Sequence, residues 1–170
     1  AVMQITELLD VFKDAKEYGS ILNVDAYDWN VLNNFVDDLG MNGQISFESM
    51  GSEETQKQLK KLIGAAENLG QKYDAVVTNP PYMGSSGMGA KLADYVKKNY
   101  PDSKSDLFAV FIEKWNKMLV VYGYNCMVTM QSWMFLSSFE KMRTNILSTK
   151  NITNLMHMEN MVMGIAFGTA

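Results

Sequence analysis

One short segment constrains the fold of this 170-residue chain more than any other. Residues 73–78 form an apolar, β-branched run that leads directly into Asn79-Pro80-Pro81-Tyr82. A continuous apolar run of this length predicts a strand that is buried on both faces of a parallel sheet. Because a residue before proline is restricted to extended conformations, Asn79 and Pro80 are both held extended. The sequence therefore predicts a buried strand that ends in a rigid segment, called here the proline loop (residues 79–82).

Helical and strand patterns alternate along the rest of the chain. Apolar residues at helical spacing predict helices at residues 3–18, 29–39, 52–69, 91–100, 105–119 and 138–147. Strand-type runs lie at 73–78, 125–130 and 152–158, with short or incomplete ones at 21–24 and 165–170. Ser103 or Ser105 is expected to cap the helix at 105–119. The alternation predicts a parallel, doubly wound α/β sheet, in which that helix makes a right-handed crossing between the first two strands.

Composition bounds the class of protein. The chain is 47% hydrophobic and 20% charged, which is typical of a globular domain large enough to bury a core. No apolar run reaches membrane-spanning length, and the first residues lack the pattern of a signal peptide. The single cysteine, Cys126, excludes an internal disulfide and favours a reducing compartment, so the expected location is cytoplasmic. The net charge of -4 argues against nucleic-acid binding through a basic surface of these residues alone.

The proline loop presents hydrogen-bond acceptors without competing donors, because proline has no N–H. An exocyclic amine carries two N–H donors and a lone pair that is delocalised into its ring. The Asn79 amide oxygen and the Pro80 carbonyl, placed off the ring plane, would satisfy both protons and free the lone pair. The Tyr82 ring would stack on a base, a contact worth about 1–3 kcal/mol, while no role follows for its hydroxyl. The alternative is a structural turn in which the prolines stiffen the strand exit and Tyr82 is packed.

These segments carry a family resemblance. Residues 73–82 and 105–119 resemble the catalytic region of amino-methyltransferases with the class I Rossmann-like fold, and the resemblance continues through 124–133. The segments 79–84 and 103–108 resemble most closely the adenine-specific methyltransferases of BREX phage-defence systems, which are similar to those of type II and IIG restriction systems. The resemblance implies S-adenosylmethionine as methyl donor. It implies the N6 amino group of a flipped adenine in double-stranded DNA as acceptor.

The same resemblance implies roles for individual residues. Asn79 and the Pro80 carbonyl would bind the adenine amino group, with Asn79 also against the cofactor, Pro81 completing the catalytic tetrapeptide and Tyr82 stacking on the ring. Phe167 is a candidate for a second aromatic that sandwiches the base, with a core position as its alternative. His157, the sole histidine, is interpreted as structural. No cluster of histidine and cysteine is present, and no metal site is expected.

One family element is missing from the expected place. The family binds its cofactor at a glycine-rich turn after the first strand, whereas residues 40–43 (Gly-Met-Asn-Gly) follow a helical pattern. We therefore expect residues 1–170 to form one partial methyltransferase domain, which lacks the first cofactor-binding strands. Residues 1–72 would be a helical lead-in and 73–170 the catalytic region. Such a piece is expected to be inactive, with an exposed sheet edge that a second copy covers in a homodimer.

Three other interpretations remain open. The same tetrapeptide serves enzymes that methylate a glutamine side-chain amide in release factors or exocyclic amines in ribosomal RNA. A non-catalytic DNA-binding or assembly module is a further alternative.

The glycine-rich residues 84–89 do not form a phosphate loop, because Ala90 stands where such a loop needs a lysine. We interpret these residues as a mobile lid over the site.

Overall fold

A computed structural model of the protein describes residues 1–41 and 49–158. The chain divides into two compact units, Ala1–Gln71 and Lys72–Ala170. The strands that were predicted from the sequence and are present in the structure belong to the second unit, while the described part of the first unit is helical. Within the described residues no helix combines the length and apolar character needed to cross a membrane.

The first unit is built from helices: α1 (Val2–Phe12), α2 (Ala15–Tyr18), α3 (Trp29–Met41) and α4 (Ser49–Gly70). Its buried core joins side chains of α1, α3 and α4: Ile5, Leu8, Leu32, Val36, Ile63 and Ala66. The Asp28 side chain accepts a hydrogen bond from the Val31 N–H at 3.1 Å, the geometry of a helix N-cap for α3. The helices predicted at 29–39 and 52–69 are thus confirmed.

Two expectations for this unit are wrong. The helix predicted over 3–18 is interrupted at Asp14, whose φ of -113° and ψ of 24° are not helical, because aspartate competes for local backbone bonds. The helix does end at Gly19, where the backbone turns with a φ of 55°. The run 21–24 forms no strand: a 3₁₀ turn spans Gly19–Ile21, and the apolar side chains of Ile21 and Leu22 are buried without sheet pairing.

The second unit is an α/β arrangement with a small parallel sheet. Its elements are β1 (Tyr73–Thr78), α5 (Ala90–Asn99), α6 (Leu107–Lys117), β2 (Leu119–Met127) and α7 (Glu140–Thr149). The strands β1 and β2 are parallel neighbours, with Ala75 opposite Tyr124 and Thr78 opposite Met127. The predicted pairing of these two runs is therefore confirmed. The unit's core joins α6, α7 and the segment after β2: Phe108, Ala109, Ile112, Trp133, Phe139, Met142 and Ile146.

The second strand begins six residues earlier than predicted, at Leu119 instead of 125, and it ends at Met127. It is irregular where it starts, because the register shifts between Tyr73 and Ala75 of the partner strand. Gly123 lies at this irregularity. A Cβ atom there would lie 3.0 Å from the Tyr73 carbonyl oxygen, so the close approach of the two backbones requires glycine.

The strand predicted at 152–158 is wrong. These residues lie outside any helix or strand, and Ile152, Leu155 and Met156 expose their side chains. A strand needs hydrogen bonds from a neighbour, and in the described residues the sheet consists of β1 and β2. The run at 165–170, which includes Phe167, lies outside the described residues.

Burial of β1 on both faces is also wrong for the described part of the chain. Val77 is 79% exposed and Tyr124 is 68% exposed. Met127, which lies in the opposite phase of β2, packs against the core of the unit. The described elements thus cover one face of the two-stranded sheet, and the structure is α/β without an observed second helical layer.

Candidate functional site

The proline loop begins where the parallel strands end. Thr78 and Met127 are paired at the ends of β1 and β2. One step further, the Val128 N–H donates a hydrogen bond to the Thr78 carbonyl at 3.3 Å. The loop therefore leaves β1 at the carboxyl edge of the sheet, beside residue 128. Ligands of open parallel α/β sheets bind at this edge.

The structure places the predicted site residues in different environments. Asn79 and Pro81 are exposed, Tyr82 is half-buried and Pro80 is buried. Pro80 is thus packed within the protein, whereas Asn79 is an exposed residue at the strand end. Of the two acceptors that the sequence suggested, Asn79 is the more accessible.

The Tyr82 hydroxyl has a role that the sequence analysis did not assign. It lies 3.0 Å from the Val128 carbonyl oxygen and 3.3 Å from Asn79 Oδ1. A phenol donates one proton, so the shorter contact to Val128 is the principal bond. Burial raises the pKa of Tyr82, which keeps the hydroxyl protonated and able to donate. The hydroxyl thereby ties the loop that follows β1 to the residue that follows β2.

The ring of Tyr82 is packed on one side. It meets Phe108 nearly edge-to-face, with ring centroids 6.2 Å apart and planes at 88°. It also packs against the core that contains Trp133. The residue as a whole is only half-buried, so part of its surface remains accessible to solvent. Packing and stacking on a ligand are therefore compatible at this position.

A carboxylate to which the sequence patterns assigned no role bonds to the residue that follows Tyr82. Asp106 caps α6, and its carboxylate accepts hydrogen bonds from the Phe108 N–H at 3.3 Å and the Met83 N–H at 3.0 Å. The predicted cap by Ser103 or Ser105 is wrong, since the buried Ser103 hydroxyl donates to the Glu113 carboxylate at 2.6 Å. The sequence does contain a signal for this cap: an aspartate stands immediately before the apolar helical run, and aspartate and serine are about equally favourable as helix N-caps.

The glycine-rich segment interpreted as a lid is attached at its start. Gly84 forms an antiparallel bridge with Asp106. The Ser85 N–H donates to the Ser105 carbonyl at 3.0 Å, and Ser85–Gly87 then forms a 3₁₀ turn. The mobility of residues 84–89 stays a prediction, with its N-terminal end fixed next to α6.

The segment after β2 forms the neighbouring wall of the site. Trp133 is buried, and its Nε1–H donates to the Thr129 hydroxyl at 3.2 Å. Arg143 of α7 donates to the Trp133 carbonyl at 2.7 Å and so fixes this turn. His157 is exposed and hydrogen-bonds to the Gln131 side chain, and its structural role stays a prediction.

The second unit is an α/β arrangement that carries the tetrapeptide Asn79-Pro80-Pro81-Tyr82 directly after a parallel strand. The sequence model of the Eco57I restriction-modification methylase family matches residues 5–162. The chain belongs to this family. The resemblance drawn from the sequence motifs is thereby confirmed.

Two curated relatives are similar over most of the chain. The adenine-specific methyltransferase BrxX of Escherichia coli O9:H4 (strain HS) is 41% identical over 153 residues, which cover 88% of this chain and 12% of the relative. The adenine-specific methyltransferase PglX of Lacticaseibacillus casei (strain Zhang) is 38% identical over 156 residues, which cover 91% of this chain and 13% of the relative. The chain thus spans a small part of the length of these relatives.

Proposed function

We propose that these residues form the catalytic region of an enzyme that transfers a methyl group from S-adenosylmethionine to the N6 amino group of adenine in DNA, within a restriction-modification or phage-defence system. One observation carries the proposal: Asn79 is exposed at the carboxyl ends of two parallel strands, with its amide oxygen beside the Tyr82 hydroxyl. The names of both relatives, which are adenine-specific methyltransferases, support it.

The proposed role of Asn79 is to accept a hydrogen bond from an N–H group of the target amine. An amide oxygen has two lone pairs, so Asn79 Oδ1 can accept from the amine while it lies near Tyr82. Such a bond strengthens as the nitrogen becomes tetrahedral, and it therefore favours the transition state over the bound substrate. The Pro80 carbonyl is the second proposed acceptor, and Pro81 fixes its direction. Because Pro80 is buried, Asn79 has the larger share of this role.

Tyr82 is proposed to receive the ring of a flipped adenine on the open part of its side chain. A base stacked on an aromatic ring gains about 1–3 kcal/mol. The edge-to-face contact with Phe108 and the hydroxyl bond to Val128 hold the ring in place before the base arrives. Preorganisation of this kind lowers the entropic cost of capturing the base.

The described residues fit S-adenosylmethionine in part. Asn79, at the carboxyl edge of the sheet, would contact it, and when bound the cofactor supplies a methyl group on a positively charged sulfur. The described residues before β1 are helices and their connections, without the glycine-rich turn after a strand that the family uses. We therefore expect weak or no binding when residues 1–170 alone are titrated with the cofactor. Micromolar affinity would place the cofactor site within them.

The proposed partner is double-stranded DNA. The net charge of -4 indicates that most phosphate contacts would come from residues outside this segment. In the described residues the sheet ends at β1 on one side and at β2 on the other. We propose that a second copy covers one of these edges in a homodimer. Light scattering, which measures the mass of the particle in solution, tests this proposal. A cytoplasmic location accords with DNA as the substrate and stays part of the proposal.

Product analysis tests the proposed function. The intact protein that contains these residues is incubated with S-adenosylmethionine and duplex DNA, and nucleosides are separated by mass spectrometry. N6-methyladenine is the expected product, and DNA whose adenines already carry an N6-methyl group serves as the control. A release-factor peptide with a glutamine and a ribosomal RNA fragment form the other arms. Methylation of either in place of DNA would contradict the proposal, and cofactor binding without methylation of any substrate would favour a non-catalytic module.

A further inference from the structure

A single carboxylate oxygen joins the residue that follows the proline loop to helix α6. Asp106 Oδ1 accepts from the Met83 N–H at 3.0 Å and from the Phe108 N–H at 3.3 Å. Met83 directly follows Tyr82, whereas Phe108 lies in the first turn of α6. The same side chain therefore caps the helix and holds the backbone at the end of the loop.

Other contacts make this attachment continuous. The Leu107 N–H donates to the Met83 carbonyl at 2.9 Å, so Met83 is bonded through both of its backbone groups. The side chain of Phe108 is fully buried and meets the Tyr82 ring. Bonds to a carboxylate are stronger than bonds between neutral groups, and a negative charge is favoured at a helix N-terminus. The helix thus fixes the loop through the ring of Tyr82 and through the backbone of Met83.

We infer that Asp106 is a positioning residue for the proposed methyl transfer. Its carboxylate acts on the loop through the Met83 amide, and it sets the place of Asn79 and Tyr82 without touching the substrate. This inference rests on the proposed function. A misplacement of about 1 Å in an active site costs roughly 100-fold in rate. Because the bond from Leu107 to Met83 persists without Asp106, we expect a smaller loss, about tenfold, from its removal.

The experiment separates positioning from helix capping by four substitutions in the intact protein. Asp106→Ala removes both bonds. Asp106→Asn keeps an amide oxygen in the same place. Asp106→Ser supplies a cap for α6, but its shorter side chain does not reach Met83. Asp28→Ala is the matched control, because Asp28 caps α3 in the other unit and bonds to no part of the loop.

The quantities to measure are kcat, KM for DNA, melting temperature and hydrogen exchange of peptides covering residues 79–85. Asp106→Ala and Asp106→Ser are expected to lower kcat about tenfold, to leave KM within about threefold, and to speed exchange at Met83. Asp106→Asn should restore most of kcat and most of the slow exchange at Met83. Asp28→Ala should lower the melting temperature as Asp106→Ala does, with kcat and loop exchange unchanged.

The results distinguish failure of this inference from failure of the proposed function. If loop exchange in Asp106→Ala matches that of the wild type, or if kcat in Asp106→Ser is normal, Asp106 is only a helix cap and the inference is wrong. If the wild-type protein methylates no adenine, the proposed function fails, while exchange at Met83 still decides whether Asp106 holds the loop. If the wild type methylates adenine and Asp106→Ala does so at the same rate, the proposed function stands without this role for Asp106.

Discussion

The Tyr82 hydroxyl and the Val128 carbonyl oxygen lie 3.0 Å apart and join the ends of β1 and β2. This bond crosses from one strand exit to the next, at the sheet edge where a ligand is expected. Asn79 Oδ1 lies 3.3 Å from the same hydroxyl and is its alternative acceptor, because the single phenol proton is donated to one oxygen at a time. The hydroxyl thus belongs to the architecture of the site as well as to the packing of the ring.

Removal of this hydroxyl is expected to impair the site. From the sequence alone, Tyr82→Phe is predicted to be nearly normal, because no role is assigned to the hydroxyl. The structure reverses this expectation: loss of one bond to a carbonyl costs about 1 kcal/mol, and Asn79 loses its neighbour. We expect methyl transfer to slow by about fivefold and the melting temperature to fall by a few degrees. Tyr122→Phe is the control, since Tyr122 is 94% exposed.

Measurement of transfer rates and thermal unfolding on both variants checks this prediction. If Tyr82→Phe and the wild type transfer methyl groups at equal rates, the hydroxyl has no role and only the ring of Tyr82 contributes to the site.

Lys114 is expected to make stability depend on pH. It is 4% exposed, and burial, followed by the charges of Lys117 and Lys72, lowers its pKa from 10.5 to about 8. Between these values the unfolded chain binds a proton that the folded chain does not, so the free energy of unfolding rises with pH across this window. Below about pH 8 the folded protein carries a buried charge. Lys114→Met is therefore expected to remove the rise in stability across this pH window.

Thermal unfolding between about pH 7 and pH 9.5 tests this assignment. The wild type should gain stability over this range relative to Lys114→Met, and the exposed Lys98→Met on α5 should behave as the wild type does. A pH dependence that is the same in Lys114→Met and the wild type would show that another group is responsible.

Two glycines in different elements, Gly123 in β2 and Gly64 in α4, should respond in opposite directions to alanine. At Gly123 a Cβ atom would meet three backbone oxygens, those of Tyr73, Asp74 and Val120, at 3.0–3.1 Å. At Gly64 in α4 a Cβ atom meets nothing within 4 Å. Gly123→Ala is expected to destabilise the second unit and separate β1 from β2. Gly64→Ala should stabilise the first unit by about 0.5–1 kcal/mol, because glycine is a poor helix former.

Denaturant unfolding of both variants provides the comparison. If Gly123→Ala unfolds at the wild-type denaturant concentration, the close approach of the two strands at this residue is wrong.

Local signals in the sequence predicted the elements around the site better than the contacts between them. The run 73–78 and the proline loop follow from residue types that act on their own neighbours, and both lie where expected. The cap of α6 was misassigned because serine and aspartate have nearly equal capping preference, and only the fold shows that Ser103 bonds to Glu113. The two acceptors near the Tyr82 hydroxyl differ in sequence separation, since Asn79 is three residues away and Val128 is 46.

Val128 lies 46 residues from Tyr82 along the chain, so no sequence pattern near either residue reveals their bond. A strand is likewise a property of two segments. Residues 152–158 have strand-type composition, but composition supplies no partner, and in the described sheet they are unpaired. The separation between local preference and long-range pairing accounts for both differences.

The proposed mechanism requires that Asn79 accepts a hydrogen bond from the target amine during methyl transfer. The most direct measurement is the single-turnover rate of N6-methyladenine formation by the intact protein with Asn79→Ala, together with its affinity for DNA. Loss of a preorganised bond made mainly in the transition state predicts a rate lowered roughly 100-fold, with DNA affinity nearly unchanged. An Asn79→Ala enzyme that methylates adenine at the wild-type rate would contradict the account.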